Sequence, residues 1–117
     1  MKILVTLQNN DIAPRFDLTT EVLIARITRG KVSGTPRTIL LPGPSSDELC
    51  SLAIKEEVSL VICGGIEDAH FQYLAWKKID AIDRIIGPAA EALTLAIAKN
   101  LQPGAIIPNR PERSVTP

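Results

Sequence analysis

The stretch that most restricts the fold runs from Val58 to Ile86. Val58 to Cys63 has the length and apolar, β-branched character of a buried strand, and Gly64-Gly65 stops it. Glu67 to Lys78 then sets Phe71, Leu74 and Ala75 at helical core spacing, and Ile79 to Ile86 returns to the mixed pattern of a strand nearer an edge. A strand, a helix and a second strand in that order form a crossover. The two strands are therefore expected to lie parallel in one sheet, with the helix laid across it.

The rest of the chain extends this unit. Lys2 to Leu7 reads as another buried strand, ended by the turn formers Gln8-Asn9-Asn10-Asp11 and followed by a loop through Pro14. Glu21 to Thr28 alternates in period two, Arg29-Gly30-Lys31 turns the chain, and Val32 and then Thr35 to Leu41 return as the partner strand of an antiparallel hairpin. Pro42-Gly43-Pro44 prevents that strand from continuing. Ser45 and Glu48, three residues apart, form a capping box for a helix whose buried face is Leu49, Leu52 and Ala53. Gly87-Pro88 opens a last helix, running to about Asn100, with Ala89, Ala92, Leu93, Ala96 and Ile97 as its packing stripe. The order is β-β-β-α-β-α-β-α, an α/β fold in which helices cover a mixed sheet. Residues 1–101 are expected to form one domain. Residues 102–117, with Pro103, Pro108, Pro111 and Pro117, are expected to form a mobile proline-rich tail.

Composition narrows the function classes. A chain of 117 residues with 45% hydrophobic side chains suffices for one packed core. Thirteen basic residues balance thirteen acidic ones, so the basic footprint of a nucleic-acid binder is missing. No apolar run approaches the roughly 20 residues of a membrane span, and the expected location is the cytoplasm. The two cysteines, Cys50 and Cys63, fit neither a short zinc spacing nor a disulfide scaffold and read first as reduced, buried thiols.

In open α/β sheets ligands collect at the carboxyl ends of the parallel strands. The loop Gln8 to Asp17, the turn Cys63 to Ile66 and the turn Ile86 to Pro88 should meet there. Gly64 and Gly65 either turn a tight corner or present amides to an anion. Cys63 is either a core thiol or, with its pKa lowered by helix amides, a ligand for a soft metal. His70, the only histidine, is either a partly exposed helix residue near Glu67 and Asp68 or an imidazole completing a metal site. Arg15, between Pro14 and Phe16, is either a surface charge or a planar fork for a carboxylate or phosphate.

These landmarks together resemble the dinitrogenase iron-molybdenum cofactor biosynthesis family, which includes the NifX-like proteins and the C-terminal domain of NifB. The resemblance covers roughly residues 1 to 100. It rests on the first strand, Pro14-Arg15-Phe16, the hairpin start Glu21-Val22-Leu23-Ile24 and, most specifically, Val61-Ile62-Cys63-Gly64-Gly65-Ile66 before a helix. It implies a ribonuclease-H-like fold and a non-enzymatic carrier or chaperone for an iron-sulfur or iron-molybdenum cluster precursor, handed to a cluster-accepting protein. Arg15, Cys63, Gly64, Gly65 and His70 would then bind the cofactor, with Cys63 and His70 on the metal. Members commonly show histidine followed by Phe-Gly in the first loop, where this chain has Arg15-Phe16-Asp17. An arginine there suits an anionic ligand.

Two other classes are distinguishable. A nuclease of the ribonuclease-H type needs several carboxylates on two divalent metals, and the strand Lys2 to Leu7 has none. The full spacing of a dinucleotide-binding glycine motif is also missing. A protein-interaction module without a cofactor finds support in Phe71, Tyr73 and Trp76, since 73 and 76 fall on a face partly different from the core stripe. Trp76 could instead cover the sheet edge or pack beneath the tail.

Overall fold

A computed structural model describes residues 1–108 of the chain. The strands are β1 (Lys2–Gln8), β2 (Asp11–Ile12), β3 (Glu21–Thr28), β4 (Lys31–Leu40), β5 (Leu60–Ile62) and β6 (Asp80–Ile82). The helices are α1 (Ser46–Lys55), α2 (Asp68–Trp76) and α3 (Ala89–Ile97), and one 3-10 turn spans Phe16–Leu18. All six strands join one mixed sheet in the order β4-β3-β1-β5-β6, with β2 paired to β1 outside that path. β1, β5 and β6 run parallel, while β3 and β4 run antiparallel to their neighbours. The crossover and the hairpin expected from the sequence are both present. No helix among the described residues is long and apolar enough to cross a membrane.

Alternation along β1 explains how one strand serves two cores. Ile3 and Val5 point into a cluster with Ile62, Ala92 and Leu93, beneath α3. Leu4 points the other way, into a cluster with Phe16, Leu49, Val61 and Leu74, beneath α1 and α2. The N-cap of α1 is as anticipated, with Glu48 N–H donating to Ser45 Oγ at 3.1 Å. At the hairpin tip Arg29 and Gly30 both take positive φ, 55° and 75°, as a two-residue turn with matching twist requires.

Three segments depart from expectation. The Ile79–Ile86 stretch keeps only three strand residues, because Arg84 N–H donates to Gly64 O and Ile85 N–H to Cys63 O, which bends the chain around the glycine turn. Residues 102–108 do not stand apart from the domain. Gly104 N–H donates to Asp83 O, Ile107 N–H donates to Ile86 O at 2.7 Å, and the Ile107 side chain is buried against the α3 cluster. The rest of the expected tail, 109–117, lies outside the described residues. On α2, Leu74 alone is fully buried, and Trp76 is 72% exposed, so it neither covers the sheet edge nor lies under the 102–108 segment.

Candidate functional site

The ends of β1 and β5 deliver two connections to the same place. After β1 the chain turns at Asn9, whose φ is 59°, pairs briefly through β2 and enters Ala13-Pro14-Arg15. After β5 it enters Cys63-Gly64-Gly65. The two segments are stitched together: Gly65 N–H donates to Pro14 O at 2.8 Å and Phe16 N–H donates to Gly65 O at 2.8 Å. A Cβ on Gly64 would stand 2.4 Å from both Ala13 O and Pro14 O, so glycine there is required by the crossing loop. A Cβ on Gly65 would meet Pro14 O at an ordinary 3.6 Å. The glycine pair thus receives the protein's own backbone. The Gly65 amide expected to be open to an anion is already bonded.

Phe16, held by that stitching, drops into the core at 2% exposure and carries the charged groups with it. Arg15 and Asp17 face each other as a bidentate pair, Nε to Oδ1 at 3.0 Å and Nη2 to Oδ2 at 2.6 Å. The pairing holds the Asp17 carboxyl below its ordinary range and raises the Arg15 guanidinium further, with His70 adding to the field on Asp17 and Glu67 to that on Arg15. The His70 ring packs beside Phe16 with centroids 6.3 Å apart. Its Nε2 is 3.6 Å from Asp47 Oδ1 and its Nδ1 is 3.6 Å from Glu67 Oε1. Those distances exceed a hydrogen bond, and Nδ1 is enclosed without a partner among the described residues. Arg15, Asp17, Glu67 and His70 therefore form one electrostatic group at the carboxyl end of the sheet.

Cys63 does not join it. Period two from Val61 turns its side chain into the α1/α2 core, where it has no exposure. Burial pushes its thiol up to about 12, with Asp83 and Cys50 acting in the same direction. The expected lowering by helix amides fails because α2 starts only at Asp68 and the sulfur faces away from solvent. Cys50 is likewise buried and pushed up to about 11. Among the described residues no group of three or more His, Cys, Asp or Glu side chains is arranged to hold a metal ion.

A cavity of about 290 Å³ opens on the other flank of the loop, lined by Gln8, Asn9, Pro14, Arg15, Thr19 and Glu21 among others. Arg15 is the only residue it shares with those picked out from the sequence. Of the latter, Arg15, Gly65 and His70 converge through the loop, whereas Cys63 and Gly64 lie beneath it. Asp17 and Glu67 were not singled out as site residues. The spacing of Asp17 two residues from Arg15, and of Glu67 one helical turn before His70, was the available signal.

The fold defined by this sheet and its two helical layers is shared with proteins of solved structure. PH0822 matches with a TM-score of 0.79 at 13% identity, over 87% of this chain and 93% of that one. A Methanocaldococcus jannaschii protein provisionally named a dinitrogenase matches with a TM-score of 0.70 at 24% identity, over 87% and 92%. A Thermotoga protein provisionally named NifB, of the DUF35 family, matches at 0.66 and 13%, over 87% and 91%. At such identities the likeness establishes the fold. No family model matches the chain, and no curated protein does.

Proposed function

We propose that the chain is a non-enzymatic binding protein of the dinitrogenase cofactor biosynthesis type, with a ribonuclease-H-like sheet, that carries an anionic iron-sulfur or iron-molybdenum cluster precursor. The observation that carries the proposal is that Arg15, paired to Asp17, and the partly exposed His70 imidazole flank the same buried loop residue, Phe16, at the carboxyl end of the sheet. The names of the solved relatives lend support. His70 fits such a cargo because its side chain is partly exposed and its Nε2 makes no hydrogen bond, and a single imidazole suffices where the cluster brings its other ligands. Arg15 fits by turning its fork from Asp17 to an anionic ligand on the cluster. Cys63 does not fit, because a thiolate reaching the cargo would need the α1/α2 core to open. Its place in the account is structural.

A paramagnetic cluster tests this directly by broadening nearby amide signals. Addition of extracted iron-molybdenum cofactor to the labelled protein under argon is expected to erase the Phe16, Gly65 and His70 amide resonances and leave those of the β3–β4 hairpin sharp. Broadening absent, or centred elsewhere, would remove the site.

A second reading has its own observation. Tyr73 and Trp76 are 40% and 72% exposed, their rings lie 6.2 Å apart, and Lys77 Nζ sits 4.7 Å from the Trp76 centroid. An exposed aromatic pair suits contact with another protein, whether a cluster acceptor or a second copy. Light scattering on wild type and Trp76→Ala separates these roles: a drop in mass on substitution supports self-association, and an unchanged monomer argues against it.

A further inference from the structure

The other end of β1 carries a second charged site, at the place where β4 leaves regular pairing. Ile24 pairs with Arg37 and Arg26 pairs with Ser33, so Ala25 alone faces Gly34, Thr35 and Pro36. Extra residues in a bulge leave the regular ladder, and Pro36 has no amide to offer. Gly34 has a φ of 72° and nothing within 4 Å of a built Cβ, so conformation and not crowding selects glycine there. The bulge shapes a concavity of about 280 Å³ whose walls include Lys2, Arg26, Arg37, Ser33 and Thr35.

The charges in this wall do not balance. Glu56 Oε1 takes both Lys2 Nζ, at 3.7 Å, and Arg37 Nη2. Arg26 has no carboxylate or hydrogen-bond partner among the described residues. Three cations thus meet one carboxylate around a concave surface, an arrangement that concentrates positive potential and draws anions.

We propose that this concavity binds a small tetrahedral oxyanion of the phosphoryl class. The forked guanidiniums of Arg26 and Arg37 supply directed charge, and the Ser33 and Thr35 hydroxyls supply neutral donors. The site lies at the opposite end of the sheet from Arg15 and His70 and does not depend on the cargo proposed there.

The test is a titration of labelled protein with inorganic phosphate at constant ionic strength, followed through amide shifts, with chloride as the control. Saturable shifts are expected at Ser33, Gly34 and Thr35, with binding at least tenfold weaker in Arg26→Gln, whose exposed side chain makes no bond to the fold. A parallel titration with glycerol 3-phosphate distinguishes the source: tighter binding marks a phosphorylated small molecule, and equal binding marks free phosphate. Shifts that match chloride, that arise only around Arg15 and His70, or that survive Arg26→Gln unchanged overturn the site.

Discussion

Gly64 and Gly65 are adjacent and chemically identical, yet their surroundings give them different tolerances. Alanine at 64 would force its Cβ against two carbonyl oxygens at 2.4 Å, so the Ala13–Phe16 loop must lift, whereas alanine at 65 meets only ordinary contact. Gly64→Ala is expected to cost about 1–3 kcal/mol, the range for overpacking, and Gly65→Ala less than about 1 kcal/mol. Urea denaturation of both variants checks the difference. Cys63 makes a second prediction at this scale. Its folded thiol titrates near 12 against an ordinary 9.0, so between those values the unfolded chain loses the proton first. Stability should fall as pH rises through that window, by at most about 1.4 kcal/mol per pH unit for this thiol. Cys63→Ala should flatten the slope, and a thiol probe should react with the native protein only as fast as the core opens. The direction of Cys63 was legible in the alternation from Val61. The glycines beside it suggested an open ligand site instead.

Elements with local signals were the readable ones. The α1 cap followed from Ser45 and Glu48, the hairpin from alternation around Arg29-Gly30, and the α3 stripe from its alanines. What escaped depends on partners distant in sequence. β2 has only two residues, and beyond its local pairing with Leu7 and Gln8 it is held from far along the chain, since Ile12 N–H donates to Gly87 O and Asp11 bridges to Pro88. The segment after Asp83 looked like strand, but it bonds instead to Gly64, Cys63 and the 104–107 stretch. Proline and glycine in 102–108 suggested detachment, yet Ile107 fills the end of the α3 cluster and crowds Gly87, whose φ is 132°. Ile107→Ala should therefore cost about 2–5 kcal/mol, as for a buried core residue. A value near zero in calorimetry would return this segment to the tail.

At the scale of the whole molecule, the sheet separates two charged ends. The carboxyl end gathers Arg15, Asp17, Glu67 and His70 around a stitched loop, and the far end gathers Lys2, Arg26 and Arg37 around a bulge. Net neutrality of the chain conceals this division, so charge counting excluded polyanions without revealing either site. The sequence located the carboxyl end, because strand-to-loop junctions can be read from punctuation. It could not show that Arg15 is already paired to Asp17 or that the Gly65 amide is already bonded to Pro14, since both depend on the loop lying across Gly64.

In the proposed function an anionic cluster is held by Arg15 and His70 and not by Cys63. Its most direct test is the metal retained per chain after anaerobic loading and desalting, compared for wild type, Arg15→Ala, His70→Ala and Cys63→Ala. Retention is expected in wild type and Cys63→Ala, with a loss of at least tenfold in affinity for His70→Ala and a smaller loss for Arg15→Ala. Metal-free wild type, or retention abolished only by Cys63→Ala, would contradict it.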